Sequence, residues 1–190
     1  MNQIILLSGP PGAGKSSVAE ALCERFDRML LVEVDDLRQM VRAGYRHPWI
    51  GDYQALEQLE LGPRNAAAIA LQSVAMRYSV VVADVITSQT VEWYRATLAA
   101  TPVSVELVTL LPALDVTLQR DAGRLYSLPE RSRALHAQFT QQIAEGHLPG
   151  AVLDSSTDSN PSATADRVQD AISRGRALFI TPTPDGAPTL

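Results

Sequence analysis

Gly9-Pro10-Pro11-Gly12-Ala13-Gly14-Lys15-Ser16 constrains this chain more than any other eight residues in it. The pattern G-x-x-x-x-G-K-[ST] is complete at every fixed position, and its context matches. The apolar run Gln3–Ser8 reads as a strand entering the turn, and Ser16–Arg25, with Val18, Ala21, Leu22 and Phe26 at helical spacing, reads as a helix leaving it. The glycines can adopt positive φ, so successive backbone N–H groups converge on phosphate oxygens at the positive end of the following helix. Gly9, Pro10, Pro11, Gly12, Ala13, Gly14, Lys15, Ser16 and Ser17 are therefore the expected phosphate cradle. Lys15 would reach the β- and γ-phosphates, and the Ser16 hydroxyl would ligate Mg²⁺. Composition adds weight: of 16 basic side chains, fifteen are arginine and Lys15 is the only lysine. A compact ammonium is not interchangeable with a planar guanidinium inside such a loop.

The remaining chain alternates short apolar runs with longer amphipathic ones. Strands are expected at Leu30–Val34, Val80–Ala83, Val103–Leu110 and Ala151–Leu153. Helices are expected at Asp36–Val41, Asn65–Arg77, Val91–Ala100, Leu114–Arg124, Ser132–Glu145 and Ala163–Ser173, with Tyr53–Leu61 a further helical candidate. This alternation predicts one α/β domain over residues 1–180, a five-stranded parallel sheet between two helical layers. Residues 181–190, with three prolines and no apolar period, read as a disordered tail.

Acids at strand ends carry the next signals, because the carboxyl ends of parallel strands face the ligand crevice. In Val34-Asp35-Asp36-Leu37 one aspartate can take a proton from an acceptor hydroxyl while the other caps the short helix, with Asp35 favoured as the base. Asp84, closing Val80–Ala83, sits where an aspartate would hold the magnesium shell, and Thr87, Ser88 and Gln89 follow it within reach of substrate. Arg120, Arg124, Arg131 and Arg133 bunch within 14 residues. Arg120 and Arg124 share a helix face opposite Leu114 and Leu118, and Gly123 lies between them, so residues 120–135 read as a lid that clamps phosphates. Asp154–Ser156 with Asn160–Ser162 forms a loop suited to frame a base. An acceptor pocket is expected from 43–63, with Tyr45, Trp49 and Tyr53 as walls and Asp36, Arg38, Arg42 or Arg64 as polar partners. His47, His136 and His147 show no metal-ligand spacing, and Trp93 and Tyr94 are expected to pack.

Together GPPGAGKSS, VDDL, VVVADV and LQRDAGR resemble the small-molecule kinase branch of P-loop proteins, chloramphenicol phosphotransferase-like proteins above all and shikimate and gluconate kinases more distantly. The resemblance covers about residues 3–175. It implies a P-loop NTPase three-layer α/β/α fold with strands in nucleoside-monophosphate-kinase order, ATP and Mg²⁺ as cofactors, a lid arginine on the transferred phosphate, and the aspartate at position 35 as general base. Two departures accompany it. Asp84-Val85-Ile86-Thr87 replaces the Asp-Gly-Phe-Pro-Arg-like segment of nucleoside monophosphate kinases. No glycine lies between Pro63 and Ala122, where shikimate kinases carry three.

The expected activity is transfer of the ATP γ-phosphoryl to a hydroxyl of a small antibiotic-, sugar- or metabolite-like molecule. A zeta-toxin-like nucleotide-sugar kinase and an ATPase switch acting through a protein partner are the alternatives. A net charge of −5 with a pI near 5.2 argues against a nucleic-acid partner. No apolar run is long enough to span a bilayer. One cysteine, Cys23, fits a reducing compartment, and residues 1–8 lack a basic leader, so a cytoplasmic location without membrane association is expected.

Overall fold

A computed structural model describes residues 2–123 and 127–183. Strand β1 (Gln3–Ser8) lies at the centre of a sheet, flanked by β3 (Ser79–Ala83) and β4 (Ser104–Leu110), with β2 (Met29–Glu33) outside β3 and β5 (Ala151–Leu153) outside β4. All five run parallel, in the order β2-β3-β1-β4-β5. This is the expected architecture, with one addition. A short β6 (Leu178–Ile180) pairs antiparallel with the start of β4, at Val105 and Glu106, on the edge whose far end carries β5 at Val108–Leu110. Three apolar residues after the last helix are too short a signal to read as a strand. Thr183 continues this contact by donating its N–H to the Thr101 carbonyl at 3.0 Å. Residues 184–190, the greater part of the expected tail, lie outside the described residues.

Side-chain alternation along the strands divides the core in two. Ile4, Leu6, Val80 and Val82 face one layer, made by α3 (Tyr53–Ala75) and α4 (Ser88–Leu98). Ile5, Leu7, Val81 and Ala83 face the other, made by α1 (Lys15–Cys23) and α7 (Pro161–Ser173). All but Ala83 are completely buried, each branched side chain contributing about 1.5–3 kcal/mol. Sandwiching on both faces explains why these strands are continuously apolar.

Two elements differ from expectation. Tyr53–Ala75 is one helix of 23 residues that runs through Gly62-Pro63, where the local sequence implies a break. Asp52 caps it by accepting the Ala55 N–H at 2.7 Å, and buried Ala66, Ala67 and Ala70 seat it on the sheet. A proline interior to a helix costs about 3 kcal/mol, and this tertiary seat offsets it. Helix α2 (Val34–Gln39) begins directly where β2 ends, so Asp35 and Asp36 lie in its first turn and neither caps it. There they complement the helix dipole.

Helices α5 (Leu114–Ala122) and α6 (Pro129–Ala144) pack together beside the phosphate loop. The buried face of α5 is Thr117 and Asp121, and not Leu114 and Leu118, which are half-buried. The reason is the neighbour: a side chain at Gly12 would lie 2.2 Å from the Thr117 carbonyl oxygen. The helix therefore rests on peptide backbone and not on an apolar core. His136 joins α6 to the β4–α5 connection through the Pro112 carbonyl at 2.8 Å.

Candidate nucleotide and acceptor site

The turn between β1 and α1 has the backbone its glycines permit. Gly9, Gly12 and Gly14 have φ of 142°, 83° and 92°. Gly14 precedes α1 in the left-handed region, and no side chain caps the helix, so its first N–H groups are presented by the loop. The Lys15 ammonium donates to the Gly9 and Pro10 carbonyls at 2.9 and 3.1 Å, which folds it over the loop.

The loop forms one end of an open cleft of about 1390 Å³ that crosses the carboxyl ends of β1, β2 and β3. Ser16, Asp35, Asp36, Arg38, Asp84 and Arg120 all line it. Arg120 reaches back to the loop after β5, donating to the Ser155 carbonyl at 3.1 Å. It also lies over Gly14, where a Cβ would stand 3.9 Å from its guanidinium. The Asp154–Asn160 loop thus shares a wall with the phosphate cradle. Arg124 lies outside the described residues.

Behind the cleft sits a buried charge network. Arg38, only 7% exposed, donates to Asp35 at 2.8 Å and to Asp84 at 2.9 Å. Asp84 also accepts the Val85 N–H at 2.8 Å and the Tyr94 hydroxyl at 3.0 Å. Both oxygens of Asp84 are therefore engaged by protein donors, and its side chain has no exposed surface. This departs from the expectation of a carboxylate turned toward a hydrated cation, because the adjacent guanidinium claims it. Tyr94 does pack as expected, yet its hydroxyl is the far end of this network. Burial, with the Asp84 charge beside it, pushes the phenol well above its ordinary range, so it remains a donor. Asp35 differs from Asp84 in being two-thirds exposed to the cleft.

Glu33, the last residue of β2, is a candidate that the motifs do not single out. It hydrogen-bonds Ser16 and feels the Lys15 charge, while burial raises its carboxyl above the usual range. The available signal is an acid at a parallel strand's carboxyl end, masked by the more conspicuous Asp35-Asp36 pair beside it. Among the described residues no cluster of three His, Cys, Asp or Glu forms a metal cage. Mg²⁺ does not need one, since it is held by one or two hard oxygens together with phosphates. The Ser16 hydroxyl and Glu33 carboxylate fit that donor set.

The acceptor residues separate into two groups. Tyr45 and Trp49 line the cleft with His47 between them: His47 stacks on Trp49 at 4.3 Å and meets Tyr45 edge-on at 5.1 Å. The Arg131 guanidinium lies over the Trp49 ring at 4.5 Å, linking this loop to α6. Tyr53 and Arg64 do not join them. Tyr53 is 78% exposed beside Glu57, and Arg64 pairs with Glu60 on the outer face of α3. Sequence pattern groups both with the preceding loop, whereas the long helix turns them away. Arg42 is not among the lining residues either.

The family model for the AAA domain matches residues 4–149. Among solved structures, the Deinococcus radiodurans tunicamycin resistance protein superposes with a TM-score of 0.64 at 19% identity, over 96% of this chain and 100% of that one. Acinetobacter baumannii shikimate kinase, in complex with shikimate, gives 0.61 at 19% identity, over 93% and 95%. The APS kinase of Mycobacterium tuberculosis, bound to AMPPNP and APS, gives 0.61 at 16% identity, over 90% and 98%. These likenesses agree with the P-loop kinase fold that the motifs imply.

Proposed function

This chain belongs to the AAA domain family, and on that premise we propose that it is an ATP-dependent phosphotransferase acting on a hydroxyl of a small molecule. One observation carries the reading. An exposed carboxylate, Asp35, faces the same cleft as the phosphate loop and is held in place by the buried Arg38. A module that only hydrolysed ATP would have no need of a second, aromatic-walled compartment beyond that carboxylate. The family and the kinases that share the fold support the same assignment.

In this scheme the loop amides, the α1 N-terminus and Lys15 bind the ATP phosphates. Mg²⁺, held by Ser16 and Glu33 with the phosphates, would supply neutralisation of their charge. Asp84 stands behind Arg38 as its anchor. The Asp35 carboxylate accepts the acceptor's hydroxyl proton as the oxygen attacks the γ-phosphorus. The bond to the bridging oxygen breaks and ADP leaves. Arg120, and Arg124 from the sequence expectation, stabilise charge on the phosphoryl group in transit.

Replacing Asp35 by alanine tests this directly. Binding of a non-hydrolysable ATP analogue, followed by calorimetry, should be unchanged. Phosphoryl transfer should fall by about 10²–10⁴-fold, the range for loss of a general base. Transfer at the wild-type rate in that variant would remove the role. ATP hydrolysis indifferent to every added alcohol would instead favour the switch.

A further inference from the structure

The two margins of the sheet are built differently. On the β4 side, β5 has three residues, β6 covers the other half of β4, and the register slips between Val105 and Glu106. Short strands and an irregular register keep an edge from pairing with foreign backbone. On the opposite side β2 pairs only with β3 among the described residues. Its Met29-Leu30-Leu31-Val32 run is apolar throughout, with no proline, charge or register slip to interrupt it.

The ladder fixes which backbone groups of β2 stand open. The Arg28 carbonyl accepts the Ser79 N–H at 3.0 Å. In a parallel pair alternate residues turn their N–H and C=O groups to the same neighbour, so Leu30 and Val32 follow Arg28 toward β3. Met29, Leu31 and Glu33 direct theirs away from the sheet. Apolar side chains flank this open margin: Leu30 is exposed, Met29 and Leu31 are half-buried, and Met76 and Tyr78, just before β3, are exposed as well.

An extended run of this kind is its own complement about a two-fold axis, the commonest symmetry of soluble oligomers. With Leu31 on the axis, Met29 of each copy stands opposite Glu33 of the other, and the open N–H and C=O groups pair across the seam. Charge favours the antiparallel sense. Arg28, whose guanidinium lies over the Tyr78 ring at 5.9 Å, and the exposed Asp36 in the first turn of α2 each lack an ion pair among the described residues. Antiparallel pairing carries Arg28 of each copy toward Asp36 of the other, whereas a parallel seam would set Arg28 against Arg28. Every strand of one copy then runs opposite to those of the other, so the two clefts open at opposite ends of the joined sheet.

We propose that β2 is a homodimer interface, joining two copies of this chain antiparallel, edge to edge, into one continuous sheet. The interface is independent of which acceptor the cleft takes.

Sedimentation equilibrium of the full chain at micromolar concentrations tests it. The unaltered protein should reach twice the 20.5 kDa mass of one chain. Leu31→Pro removes both N–H groups that meet at the axis and spares the ladder with β3, as a proline on the open side of an edge strand does. That variant should be a monomer. Leu30 of each copy lies diagonally across the axis from its counterpart. Leu30→Lys or Leu30→Glu alone should therefore raise the dissociation constant about tenfold or more through like-charge repulsion. An equimolar mixture of the two should restore association as a heterodimer, which damage to the fold would not do. A monomer at every concentration for the unaltered chain would overturn the interface. So would a dimer that survives all three substitutions, or Leu30 variants whose mixture stays monomeric.

Discussion

Within the site, the residue that organises the others is Arg38. Its buried partner is Asp84, and removing one member of such a buried pair costs about 3–5 kcal/mol, whereas Asp35, two-thirds exposed, is the screened partner. Tyr94 and the Val85 N–H complete the shell of Asp84, so the chain Tyr94–Asp84–Arg38–Asp35 transmits position from the core to an exposed carboxylate. Glu33 illustrates the opposite balance. Burial raises its carboxyl, with Ser16 and Lys15 only partly compensating. A carboxyl whose folded value is raised binds more protons folded than unfolded, so stability falls as pH rises through the folded value. Glu33→Gln should therefore raise the melting temperature of the nucleotide-free protein at neutral pH. The gain should vanish below about pH 4, where the wild-type carboxyl is protonated in both states. The same variant should weaken Mg²⁺-dependent nucleotide binding. Melting curves across pH, with and without Mg·ATP, would check both halves, and a gain that grew toward acid would refute the assignment.

Elements meet at two glycines whose missing side chains set a distance. Gly62 lets α3 approach Val34 and Arg38, at 3.0 and 3.1 Å from its absent Cβ. Gly12 lets α5 rest on the phosphate loop, with the Thr117 carbonyl where a Cβ would be. Gly12→Ala would combine that 2.2 Å overlap with a φ of 83°. A left-handed conformation costs a non-glycine residue about 1–2 kcal/mol, and overpacking about 1–3 kcal/mol more. The variant should melt lower and lose nucleotide affinity more than it loses helix content, measured by calorimetry and circular dichroism. Unchanged nucleotide affinity would show that α5 does not set the loop. At this scale the apolar periods predict most helices within a few residues. They fail at α3, because Gly62-Pro63 reads locally as a break and only the sheet beneath Ala66, Ala67 and Ala70 holds the helix through it.

Across the whole molecule, the 2-3-1-4-5 strand order brings the ends of β1, β2 and β3 together, so a nucleotide loop, an acceptor carboxylate and a buried arginine share one crevice. The column Tyr45–His47–Trp49–Arg131 spans that crevice from the acceptor loop to α6. A cation over an indole contributes about 0.5–2 kcal/mol depending on desolvation, small against folding but large against the closing of a loop. Arg131→Ala should leave the melting temperature nearly unchanged and raise acceptor-free ATP hydrolysis several-fold, as water gains entry. A phosphate-release assay without acceptor would register it, and an unaltered basal rate would mean the column does not seal the site.

By itself the sequence determined the phosphate loop, the alternation of strands and helices, and the acids at strand ends. Each of these is a local pattern in which residue type and spacing act directly on backbone conformation or on a bound phosphate. The tertiary structure decided which of those acids stays open. Asp35 and Asp84 look alike in sequence, yet Arg38 and Tyr94 arrive from other elements and close one of them. It likewise placed Glu33 against Ser16, turned Tyr53 and Arg64 outward, and brought Arg131 onto Trp49. A charge is satisfied by whatever lies within a few ångströms, and residues 46 positions apart, as Arg38 and Asp84 are, become neighbours only when the sheet forms.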